Sequence, residues 1–125
     1  MVKATLKTGR YQTEIEAGTH QLLVDEPLAA GGADLGPSPL DLLASSLAAC
    51  VAITLRMYAD RKGWGLTEVQ VEVSLEDGFF RKYIRVAGPL DQLQLDRLKQ
   101  IASSCPVSKI LSQTNAIKSS IELIP

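Results

Sequence analysis

Two side chains in this sequence can serve as a nucleophile or a redox couple: Cys50 and Cys105, its only cysteines. A thiolate can attack an electrophile, ligate a metal or close a disulfide. Cys50 lies within "LLASSLAACVAITL", Leu42 to Leu55, fourteen residues without a charge. It continues an apolar stripe begun by Leu43 and Leu47, so one reading is an inert core thiol packing as a small hydrophobe. The other is a reactive thiol, which needs a cation nearby because apolar burial raises thiol pKa values. Cys105 stands directly before Pro106. Proline at a first helical position makes the preceding residue the N-cap, where open N–H groups stabilise a thiolate. The competing reading is that Cys105 closes the apolar stripe Leu95, Leu98, Ala102 of the preceding helix.

The remaining chemistry is sparse. His20 is the lone histidine, in a turn where solvation is expected. Cys50, Cys105 and His20 lack the short ligand spacing of a zinc site, so no metal and no other cofactor are expected. "GGADLG" leads into a proline and not into a phosphate-binding helix. Ser45 and Ser46 have no histidine close in sequence to build a triad.

These thiols need elements to hold them. Residues 2–24 alternate in short apolar pieces, Val2, Ala4, Leu6, then Tyr11, Thr13, Ile15, then Leu22 and Val24, which predicts a small antiparallel meander. "DEPLAAGGADLGPSP", Asp25 to Pro39, is rich in Gly and Pro and predicts a loop without regular structure. Ser38 as cap, Pro39 in the first turn and Asp41 three residues after Ser38 start a long helix, expected from Pro39 to Arg61 and ended by Gly63. Val69, Val71, Val73 and Leu75 alternate with polar residues, and Asp77-Gly78 turns the chain into a returning strand with Phe80, Ile84 and Val86 on one face. Helices follow from Leu90 to Cys105 and from Pro106 to Gln113. A last strand is predicted over "AIKSSIELI", with Ile117, Ile121 and Leu123 on one face. The expected class is α+β, in a single domain spanning residues 1–125.

With 46% hydrophobic residues the chain has enough apolar mass for a core. A net charge of −1, from 13 Lys+Arg against 14 Asp+Glu, lacks the basic footprint of a nucleic-acid binder. "MVKATLKTGR" carries no signal-peptide pattern, and the charge-free run falls short of a membrane span. A soluble protein of the cytoplasm is therefore expected, where thiols are kept reduced. A helix apolar on every side must be enclosed on every side, and a chain this small has little material to do so. An obligate dimer is the consequence.

"GPSPLDLLASSLAAC" running into "VAITLRMYADRKGW", followed by "IASSCPVSKIL", resembles the OsmC/Ohr family, the osmotically inducible and organic hydroperoxide resistance proteins. The resemblance extends over nearly the whole chain. It implies the OsmC-like fold, antiparallel sheets wrapped around a long central helix, in an intertwined homodimer with active sites at the subunit interface. It also implies a thiol-dependent peroxidase acting on organic hydroperoxides or hydrogen peroxide. Cys50 would attack the O–O bond, Cys105 would resolve the sulfenic acid as a disulfide, and an external thiol or dithiol would reduce it.

The family places an arginine and a carboxylate near the reactive sulfur. Arg10, in the N-terminal strands, is the candidate cation. Asp41 is the candidate carboxylate, in competition with a role as helix cap. Here the chain departs from the better studied members, which carry a glutamate ahead of the helix cysteine. Arg56 is expected at a rim or against a partner chain, and Arg81 and Arg85 in solvent. Ser108 stands where the "CPV" motif often has a histidine. The second reading, favoured by the departures, is a non-catalytic dimeric module binding a small apolar or thiol ligand in the interface pocket.

Overall fold

Alternation, caps and turns set the elements of the chain, which a computed structural model describes from Met1 to Pro125. Strands β1 (Val2–Thr5), β2 (Thr13–Ala17) and β3 (His20–Val24) form an antiparallel sheet in that order. Val2 pairs with Ala17, and Ala17 with His20 across a tight turn in which Gly18 takes φ 62°. This is the expected meander, and His20 is exposed at the start of β3.

The glycine-rich loop departs from expectation in one place, a short 3-10 turn over Leu28–Ala30. Beyond it, helix α1 runs over Pro39–Lys62. The Ser38 hydroxyl accepts the N–H of Asp41 at 3.1 Å, so the cap read from the sequence is formed. Gly63, with φ 68°, ends the helix in the left-handed conformation that glycine adopts without strain.

Strands β4 (Glu68–Glu76) and β5 (Phe79–Ala87) make a second, two-stranded sheet around Asp77-Gly78. Helix α2 (Gln92–Ala102) starts at a full capping box: the Asp91 carboxylate accepts from Gln94 N, and the Gln94 side chain accepts from Asp91 N. Helix α3 (Pro106–Leu111) has Cys105 as its N-cap. The class is α+β, two antiparallel sheets and one long helix, as expected.

The predicted last strand is a correction. Residues 114–125 form no strand, and Ile117, Ile121 and Leu123 lie exposed, Ile121 fully so. Their alternation gives the segment one apolar face, but a strand also needs an edge to pair with.

The chain packs as two compact units. Met1–Ser46 with Val73–Lys82 contains the meander, the loop and the start of α1. Leu47–Glu72 with Tyr83–Pro125 contains the rest of α1, α2 and α3. The core of this second unit is Leu47, Val51, Leu55, Tyr58 and Ala59 of α1 with Leu66, Leu98, Ala102 and Cys105.

Candidate functional site

At 100° per residue, the buried residues of α1, Leu47, Val51, Leu55, Tyr58 and Ala59, fall on one stripe. Leu43, Cys50 and Met57 recur every seven residues along a neighbouring stripe, with Ile53 beside them. This second stripe is uncovered: Ile53 is 55% and Met57 61% exposed. Cys50 is half-buried on it. By length and composition α1 is apolar enough to cross a membrane, a test the fourteen-residue charge-free run alone does not meet. Core helices of soluble proteins pass the same test, and part of α1 is buried in this chain.

No hydrogen bond reaches Cys50 Sγ within the chain. Cys105 is the opposite case. It is fully buried, its Sγ accepts the N–H of Ser108 at 3.3 Å, and its S–H donates to Ser108 Oγ at 3.1 Å. Both of its sequence readings hold, since it caps α3 and also ends the buried series Leu98, Ala102. No disulfide joins the two sulfurs in this structure. Both cysteines belong to the second unit.

Arg10 and Asp41 belong to the first unit. Arg10 is exposed, its guanidinium 5.6 Å from the centre of the Tyr11 ring. Asp41 is exposed in the first turn of α1, where its charge suits the helix dipole. Nine residues separate it from Cys50, about 13 Å of helical rise and half a turn out of phase. The two positions therefore lie on opposite faces of α1.

Arg56 is half-buried, and its guanidinium donates to the backbone carbonyl of Leu66 ahead of β4. Arg81 and Arg85 are exposed, paired with Glu76 and Gln70 at 2.9 and 2.6 Å. No group of three or more His, Cys, Asp or Glu side chains is placed to hold a metal ion.

Two features escaped the sequence reading. Asp25 is a buried carboxylate that accepts three backbone N–H groups of its own loop. Only its position ahead of a Gly-Gly pair hinted at this. Tyr58 is buried under α2, its hydroxyl accepting from Arg97 Nε at 2.9 Å, with the Trp64 ring edge-on at 5.4 Å. No local pattern pairs residues so far apart.

The Arg97 hydrogen bond holds the Tyr58 hydroxyl below its ordinary value of 10.0; burial opposes it, and the charges of Arg97, Lys62 and Arg61 add to it. A folded value below the unfolded one favours the phenolate form in the folded state. This contribution is fully present above 10.0 and is lost as pH falls through the folded value. In an ultraviolet titration Arg97→Ala should therefore move the ionisation of Tyr58 upward. Identical titration curves for parent and variant would contradict the assignment.

Residues 31–121 match the family model described as OsmC-like protein. An OsmC like protein from Mycoplasma pneumoniae superposes with a TM-score of 0.75 at 19% identity, over 90% of this chain and 86% of that one. An organic hydroperoxide resistance protein OsmC from Legionella pneumophila gives 0.63 at 23%, over 89% and 87%. The organic hydroperoxide resistance protein OhrB of Bacillus subtilis gives 0.56 at 27%, over 88% and 89%. No curated protein is matched by sequence.

Proposed function

Because this chain belongs to the OsmC-like protein family, we propose that it is a thiol-dependent peroxidase that reduces organic hydroperoxides or hydrogen peroxide through Cys50 and Cys105. The observation that carries the reading is the position of Cys50, an accessible thiol on an uncovered apolar stripe of α1. An oily surface around a thiol suits a lipid-like hydroperoxide and shields the oxidised sulfur from a second oxidation. Relatives named for organic hydroperoxide resistance support the substrate class.

The chain acts as one OsmC-like domain and as a homodimer in the cytoplasm. Leu43, Ile53 and Met57 of α1 and Ile117, Ile121 and Leu123 of the tail are apolar surface that a second copy would cover. That second copy also brings the charges Cys50 lacks in its own chain, with Arg10 and Asp41 as the candidates.

The Cys50 thiolate attacks the peroxide, its S–O bond forms, the O–O bond breaks, and the alcohol or water leaves with a proton. Cys105 then attacks the sulfenic acid, the S–S bond forms and hydroxide departs as water. An external thiol or dithiol restores both cysteines.

The absence of any hydrogen bond to Cys50 within the chain favours a second reading, a non-catalytic module holding a small apolar or thiol ligand at the same stripe. One experiment separates the two. The reduced protein is mixed with one equivalent of cumene hydroperoxide and followed by thiol counting and mass analysis. Rapid loss of both thiols with a Cys50–Cys105 bond is the expected result. Thiols that persist for hours would overturn the peroxidase reading in favour of the ligand-binding one.

A further inference from the structure

We propose that Ser108 is a positioning residue for the Cys105 sulfur, accepting its hydrogen in the thiol state and donating to it in the thiolate state. This rests on the two-cysteine reading above and names the residue that prepares its second step. Cys105 is 0% exposed, so water does not solvate its sulfur. A thiolate formed there without donors would carry the full desolvation penalty of a buried charge. One residue supplies two contacts: the Ser108 N–H donates to Sγ at 3.3 Å, and Ser108 Oγ lies 3.1 Å from the same sulfur as acceptor of the S–H.

A hydroxyl is both donor and acceptor. When the S–H proton leaves, rotation about the Cβ–Oγ bond turns Ser108 from acceptor to donor with no backbone movement. The thiolate then gains the Ser108 hydroxyl as a donor beside the Ser108 N–H. Lys99 and Lys109 of the flanking helices are exposed, and Arg97 donates to Tyr58 and Gln100. Ser103 and Ser104, just ahead of Cys105 in sequence, are exposed.

The step this prepares is the attack of Cys105 on the Cys50 sulfenic acid. The S–S bond forms, the S–O bond breaks, and the departing hydroxide takes a proton to become water. The two electrons lost by the thiols have gone to the hydroperoxide.

The test uses the isosteric pair Ser108→Thr and Ser108→Val, which differ only in the hydroxyl. After one equivalent of hydroperoxide, Ser108→Val should form the disulfide about tenfold more slowly than the parent, the effect of one lost charge-assisted hydrogen bond. The waiting Cys50 sulfenic acid should be captured by dimedone, and its formation should keep the parent rate. Ser108→Thr should restore disulfide formation. Equal rates for the two variants would overturn the proposal.

A second measurement does not depend on the peroxidase reading. Both substitutions are placed in the Cys50→Ser background, where Cys105 is the remaining thiol. Its ultraviolet thiolate absorbance should rise about one pH unit later with Ser108→Val than with Ser108→Thr, the same tenfold effect. That shift, in a protein whose parent shows no disulfide formation, would uphold Ser108 while refuting the two-cysteine cycle. No shift would refute the role of Ser108.

Discussion

Cys50→Ser is expected to abolish peroxide turnover, while Cys105→Ser is expected to permit one oxidation and then stall. The asymmetry follows from exposure. Cys50 is half-buried on the uncovered stripe of α1, within reach of a molecule arriving from solvent, whereas Cys105 is fully enclosed. A peroxide therefore meets Cys50 first. Removing the nucleophile removes the only covalent route, and a loss of about a thousandfold or more is the usual consequence.

Removing Cys105 leaves that first attack intact. The sulfenic acid then has no internal thiol to meet, so oxidation stops after one equivalent and the product stays open to an added thiol or to over-oxidation. The measurement is peroxide consumed per chain, with mass analysis of the variant. Full turnover by Cys50→Ser would sink the assignment. Equal stalling by both variants would instead make the two cysteines interchangeable, which their burial argues against. Disulfide closure also demands Cα atoms within about 7 Å or a movement that brings them there, so the identity of the bond is itself informative.

The elements that carry these thiols were legible wherever the signal was local. Ser38, Pro39 and Asp41 announced the start of α1 and Gly63 its end; Asp77-Gly78 announced the hairpin; Pro106 made Cys105 a cap. Each of these is a short-range preference, settled by the residues on either side of it. The tail shows the limit. Ile117, Ile121 and Leu123 alternate as a strand should, but alternation reports only which face is apolar and is silent on which edge offers hydrogen bonds.

The site shows the same limit more sharply. Both cysteines were visible as candidates, because residue type and helix position bear on thiol chemistry. Their partners were not, since side chains meet through tertiary packing. Arg56 turned back onto Leu66, and Arg97 reached Tyr58 from another helix. In the sequence Ser108 stands out only as a departure from the motif, although its spacing from Cys105 is the one that lets an N-cap side chain meet its third helical residue.

Asp25→Ala is expected to be the most damaging change outside the thiols, although Asp25 touches neither of them. Its Oδ1 accepts from Glu26 N at 2.7 Å, and its Oδ2 accepts from Ala33 N and Leu35 N at 3.2 Å. The carboxylate thereby does for this loop what a strand partner does for a strand. Alanine would leave those donors without acceptors at a part-buried site, about 1–3 kcal/mol for each one that water does not reach. The sum is several kcal/mol, against a total stability of about 5–15 kcal/mol for a typical domain.

Asn at the same position keeps one acceptor oxygen and turns an NH2 group toward N–H groups, so it should fall between. The glycines of the loop make a matching case. A Cβ on Gly36 would overlap the Leu23 carbonyl oxygen, and one on Gly32 would overlap that of Glu26. Backbone cannot yield as a side chain can, so Gly36→Ala should cost about 1–3 kcal/mol or more by overpacking.

Denaturant midpoints for Asp25→Ala, Asp25→Asn and Gly36→Ala would check this order, and an Asp25→Ala midpoint equal to the parent's would refute it. The effect should also reach the chemistry. Asp25 N donates to Pro37 O at 3.2 Å, one residue before the Ser38 cap, so the folded loop fixes where α1 begins. The helix carries Cys50 at a fixed rise and phase from that start, and a loosened loop should therefore slow peroxide reduction before it unfolds the chain.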